Sequence, residues 1–116
     1  MQARLCAAAL MLLSGVTHVS QLVVYVAKPN VIGAALFGVI YFVIGLLLWW
    51  NKRVGLWLGA ILPTIGGVLG AIRFASMHRN PFSIFHIIID LIVVPICVWL
   101  LFRPATKSDT TEPAAD

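Results

Sequence analysis

His86 and Asp90 stand one helical turn apart in "FHIIIDLIVVP", residues 85–95, inside a run of isoleucine, leucine and valine. Asp90 is the only acidic residue ahead of the stretch that begins near Lys107. An imidazole and a carboxyl in apolar surroundings are suited to passing a proton, holding a cation or ligating a metal. Elsewhere the chain offers His18 and Gln21 in "THVSQ", Tyr41 in "VIYFV" and Arg73 in "AIRF". A carboxylate at depth in a membrane costs about 2.5–3.5 kcal/mol unless it is paired or hydrated. Arg73 is the nearest fixed positive charge, which leads us to expect an Arg73–Asp90 ion pair, with His86 one turn above Asp90 and His18 across from it.

These residues meet only if the intervening chain brings them together, and composition says how. Of 116 residues, 61% are hydrophobic and 10% charged, and the mean hydropathy is +1.02, far outside the range of soluble domains. A membrane-spanning helix needs about 20 mainly apolar residues. Four stretches reach that length, about 4–27, 31–50, 54–76 and 82–102. A β-barrel would require strict apolar–polar alternation, and these runs are continuous. The short connections "KPN", "NKR" and "MHRNP" make consecutive helices antiparallel neighbours. The expected fold is therefore an all-α membrane protein, an up-down bundle of four transmembrane helices over residues 1–103. Residues 104–116 lose apolar character and read as a disordered cytoplasmic tail.

Charge sets the expected orientation. Arg4, Lys52, Arg53, Arg103 and Lys107 fall on one side, against Lys28 and Arg79 on the other, which puts both termini in the cytoplasm and the chain in the cell membrane. Trp49, Trp50, Trp57 and Trp99 then form a belt at the cytoplasmic interface. The net charge of +4 comes from single residues scattered over loops, without the clustering that nucleic acid requires. Arg4 followed by "LCAAALMLLSG" is similar to a secretory signal, yet no small-x-small cleavage site follows, and we expect a retained first helix. Cys6 and Cys97 lack CxxC spacing and read as buried free thiols.

Residues three or four apart share a helix face. The first helix carries Ser14, His18, Gln21 and Tyr25 on one face. The second carries Gly38, Tyr41 and Gly45. The third carries Gly59, Pro63, Gly66, Gly70 and Arg73, and the fourth His86, Asp90, Val93 and Cys97. Polar groups are costly in lipid and small residues permit close approach, so all four faces should turn inward. Counting the rise along each helix brings His18, Gln21, Arg73, His86 and Asp90 toward the non-cytoplasmic half, and Tyr41 joins them as a candidate ligand or proton-site residue. Pro63 and Pro95 should free the carbonyls of Gly59 and Leu91. Asn30 and Asn80 read as N-caps, with Pro81 at the favoured first helical position.

Gly55–Gly59 and Gly66–Gly70 are small-xxx-small pairs that serve contacts either within the chain or between copies. They lead us to expect a homo-oligomer or a place in a larger membrane complex. "GGVLGAIRF", residues 66–74, resembles the Gly-Gly-x-x-Gly-Ala-x-x-Arg signature of small four-helix fluoride channels over nine residues. In those channels the motif opens the first helix and is accompanied by asparagine and threonine-phenylalanine-serine motifs that this chain lacks, so no family is assigned.

No Ser-His-Asp constellation, P-loop or dinucleotide fingerprint occurs in its required context, which argues against a soluble-type enzyme. The functions left are an accessory subunit of a membrane complex, or a small-solute or ion conduit using Asp90 and the histidines as a proton relay. An ion pair that only fixed helix register would favour the first. The alternative is a membrane redox protein holding haem or quinone through His18 and His86. A metal on His18, His86 and Asp90 has suitable ligand types.

Overall fold

The computed structural model describes residues 2–26, 28–76 and 81–104. Within them lie four helices: α1 (Gln2–Val24), α2 (Pro29–Trp49), α3 (Arg53–Ser76) and α4 (Pro81–Phe102). Each is long and apolar enough to cross a membrane. Lipid supplies no hydrogen bonds, so continuous apolar sequence satisfies its backbone by closing i to i−4 bonds within the segment. The helices form a ring of neighbours: α1 lies beside α2 and α4, and α3 completes the circuit between them, while across the ring the Tyr41 side chain of α2 reaches Asp90 of α4.

The four faces read from the sequence do turn inward. Ser14, Gln21, Gly38, Tyr41, Gly45, Gly59, Pro63, His86, Asp90, Val93 and Cys97 are buried, while His18, Gly66, Gly70 and Arg73 are partly so. Toward the end that carries the tryptophans, the interior is closed and apolar. Ala7, Ala8 and Met11 of α1 pack with Ile44 and Leu48 of α2 and with Val93 and Cys97 of α4. Cys6, expected to be buried, is exposed because it sits one position before the inward Ala7–Ala8 pair.

α1 and α2 approach almost backbone to backbone. A Cβ at Gly15 would come within 2.8 Å of the Gly38 carbonyl oxygen, and one at Gly38 within 2.5 Å of His18 Cβ. On α3, a Cβ at Gly55 would meet Leu47 at 3.0 Å, one at Gly59 would meet Cys97 Sγ at 2.8 Å, and one at Gly66 would collide with the Tyr41 hydroxyl. The α3 glycines that raised the prospect of a contact between copies are thus largely engaged inside the chain.

The helix ends correct the expected boundaries in detail. α2 starts at Pro29, with Lys28 in extended conformation before it and no side-chain cap. Asn30 is therefore inside the first turn: proline's fixed φ opens the helix one residue earlier. Asn80 lies outside the described residues. α2 ends in a Schellman arrangement, in which Lys52 N–H donates to the Leu47 carbonyl at 2.9 Å and Asn51 N–H to that of Leu48 at 3.2 Å. Asn51 takes φ of 60°, a left-handed conformation that asparagine tolerates better than most residues. Arg4 reaches the Asn51 side chain, and Trp57 meets Phe102 edge to face at 6.3 Å. These contacts gather the start of α1, the α2–α3 turn, the start of α3 and the end of α4 at one end.

Candidate functional site

At the other end the same inward faces line a half-open cavity of about 480 Å³. His18, Gln21, Tyr41, Arg73, His86 and Asp90 all line it, so the six residues singled out by chemistry are brought together. Apolar side chains such as Phe37, Ile40, Leu69 and Ile87 make up much of the remaining wall.

The histidines hold the centre. Their rings stack with centroids 3.5 Å apart and planes 23° from parallel. His18 Nδ1 lies 2.8 Å from the Ser14 carbonyl oxygen. A carbonyl only accepts, so this nitrogen is the donor and Nε2 carries the lone pair of the neutral ring. The Ser14 hydroxyl lies 3.4 Å from the same Nδ1. On the other ring, His86 Nε2 lies 2.8 Å from the Thr17 hydroxyl. Tyr41 closes one side of the stack, its ring edge to face with His18 at 5.3 Å and with Phe37 at 5.9 Å.

Asp90 sits a turn below His86 and is 6% exposed. The Tyr41 hydroxyl donates to its Oδ2 over a loose 3.4 Å. Its Oδ1 is closed off from solvent and has no hydrogen-bond partner among the described residues. The expected Arg73–Asp90 ion pair is not formed. Arg73 instead donates from a terminal guanidinium nitrogen to the Asn30 carbonyl at 3.5 Å, the outer limit of a hydrogen bond. Arg73 lies in the last turn of α3 while Asp90 packs beside Gly67. The intervening six positions correspond to about 9 Å of helix rise, and the guanidinium reaches the α2 backbone nearby instead.

Two ligand expectations fail on this geometry. A haem between His18 and His86 needs a slot as wide as the macrocycle, and the imidazoles are in face-to-face contact. A metal on His18, His86 and Asp90 needs three donors converging on one point, and no such group is gathered among the described residues. The rings stack rather than aim their lone pairs together, and the carboxyl turns toward Tyr41.

Four contributors escaped sequence reasoning. Thr17 touches His86, Ser83 and Asn30 line the cavity, and Gly67 packs on the Asp90 side chain. Thr17 is three residues after Ser14 and Ser83 three before His86, so the same periodicity would have found both. Gly66 was noted only as a small residue, yet its missing Cβ is what leaves room for the Tyr41 hydroxyl.

No protein-family model matches this chain, and no match is found among curated proteins or solved structures.

Proposed function

We propose that this chain is an integral protein of the cell membrane that conducts protons or a proton-coupled small solute. Its four spans alternate in direction, both termini lie in the cytoplasm, and the cavity opens toward the opposite side. Asp90 and the stacked histidines form the relay. The observation that supports this reading is the unpaired Asp90 carboxyl: buried, with one oxygen lacking any donor, beside a cavity that also holds two imidazoles. A carboxyl that only fixed helix register would be expected to carry its counter-charge, and Arg73 is bonded elsewhere. Buried polar groups left without partners are costly and mark working sites in membrane spans.

The relay needs groups that gain and lose a proton within reach of one another. His18 Nε2 offers a lone pair, His86 stacks on the face of the same ring so that a proton would pass between the two through cavity water, and the Tyr41 hydroxyl bridges toward Asp90. Purified chain in liposomes, with a pH-sensitive dye inside, tests the proposal. The native chain should dissipate an imposed pH gradient, alone or on addition of a coupled solute, and folded Asp90→Asn should not. Equal flux from the two proteins would refute the relay.

A further inference from the structure

Asp90 borders a second hollow besides the polar cavity. This groove, of about 350 Å³, runs between α3 and α4 and is lined by Pro63, Thr64, Gly67, Val68, Leu91 and Pro95 among others. Val68 and Leu91 are 56% and 69% exposed, so the groove faces whatever surrounds the bundle. Around a membrane-spanning bundle, that is lipid.

The groove is built to leave Asp90 within reach. Gly67 lies against the carboxyl, and a Cβ there would stand 3.3 Å from Asp90 Oδ2; any larger side chain would fill the approach. The chemistry of the walls is one-sided. The Thr64 hydroxyl donates to its own helix, at 2.6 Å from the Ala60 carbonyl. Pro95 has no N–H to give the Leu91 carbonyl. The groove therefore presents the Asp90 carboxyl as an acceptor on otherwise apolar walls. Arg73 lines the other cavity and not this one, so among the described residues no cation competes for the carboxyl from the groove side.

We propose that the α3–α4 groove is a lipid-side binding site on Asp90, which takes a membrane-dissolved molecule with an apolar body and a protonated amine head. The ammonium supplies the positive charge that the carboxyl lacks and a stronger donor than the Tyr41 hydroxyl at 3.4 Å, and the body lies along Val68, Leu91 and Val94. The inference rests on reading Asp90 as a working group, and it adds a second route to that group from within the bilayer.

Carbodiimides test it on the full chain in liposomes. The carboxyl O–H adds across the reagent's C=N bond, oxygen to carbon and proton to nitrogen, with nothing released. Dicyclohexylcarbodiimide, which dissolves in lipid, should label Asp90 as read by mass spectrometry, and a water-soluble cationic carbodiimide should label it far more slowly. Asp90→Asn identifies the site by losing the label. N,N-Dimethyldodecylamine, whose tertiary nitrogen is protonated but cannot form an amide with the activated carboxyl, should slow the labelling by about tenfold at about nine times its Kd, while dodecane and dodecanol should leave the rate nearly unchanged. Gly67→Val should slow labelling similarly. Ala71→Leu, which narrows the groove away from the carboxyl, should weaken protection by the amine should Gly67→Val fail to fold. Equal labelling by the two carbodiimides, or protection by dodecane matching that by the amine, overturns the groove. Protection by dodecanol matching that by the amine overturns the amine head, and unaltered protection in folded Ala71→Leu overturns the placement of the body. Labelling that persists in a chain without proton flux counts against the conduit alone, and flux without lipid-side labelling counts against the groove alone.

Discussion

Between Ala7 and Met11 on α1, Ile44 and Leu48 on α2, and Val93 and Leu101 on α4, inward side chains are apolar and closed off. Past Ser14, Tyr41 and Asp90 the same helices turn hydroxyls, imidazoles and a carboxyl toward a cavity. The two halves share the same helices in the same neighbour order, yet one is close-packed and the other hollow. In lipid, helix association depends on packing and on a few polar contacts rather than on exclusion of water. One half of a bundle can therefore supply most of the cohesion and leave the other free to hold costly groups. Stability and function should separate along the bundle axis.

Substitutions can break or sharpen that division. The largest effect is expected in the closed half. Met11 is fully buried, and Met11→Ala should lower unfolding free energy in detergent by about 2–5 kcal/mol, as cavity-forming changes in packed cores do, while leaving proton flux per folded molecule close to native. Stability unmoved by Met11→Ala would show that the closed half is not where cohesion lies. At the boundary, Gly38→Ala forces a methyl against His18 Cβ and the Gly15 carbonyl. Overpacking of this kind costs about 1–3 kcal/mol, and because it displaces His18 it should depress flux as well, making it a change that crosses the division. The smallest effect concerns Arg73 and Asp90. They share a cavity without pairing, so the stability changes of Arg73→Gln and Asp90→Asn should add to within about 0.5 kcal/mol in a double-mutant cycle. A larger coupling would mean that the two charges meet and that the polar half is held by an ion pair after all.

What was legible in the sequence followed the helical period. The inward faces of all four helices emerge from spacing alone, because lipid penalises outward polar groups and rewards small inward ones, and this was enough to collect six cavity residues from four separate segments. What was hidden depends on the last few ångströms. The Arg73–Asp90 pair looked compelling because each residue was the only nearby opposite charge. Arginine's length lets it choose among acceptors, however, and a backbone carbonyl at Asn30 is no less visible to it than a distant carboxylate. The stacking of His18 on His86 depends on the rotation of α1 against α4, which no spacing encodes, and it removes the slot that a haem would need. The Asn30 cap was overruled by the proline beside it, since Pro29 begins the helix one position early.

The Thr17 hydroxyl has one hydrogen and three claimants. It lies 3.0 Å from each of the carbonyl oxygens of Leu13 and Ser14, and 2.8 Å from His86 Nε2. When His86 bears hydrogen on Nε2, the ring donates to Thr17, and the hydroxyl is free to point at the α1 backbone. When that nitrogen is bare, the hydroxyl must swing round to donate to it, and the two carbonyls lose their extra bond. The tautomer of a ring on α4 is thereby written into the torsion of a single bond on α1. A rotor that turns in picoseconds to nanoseconds can thus report the ring's state without any helix having to move.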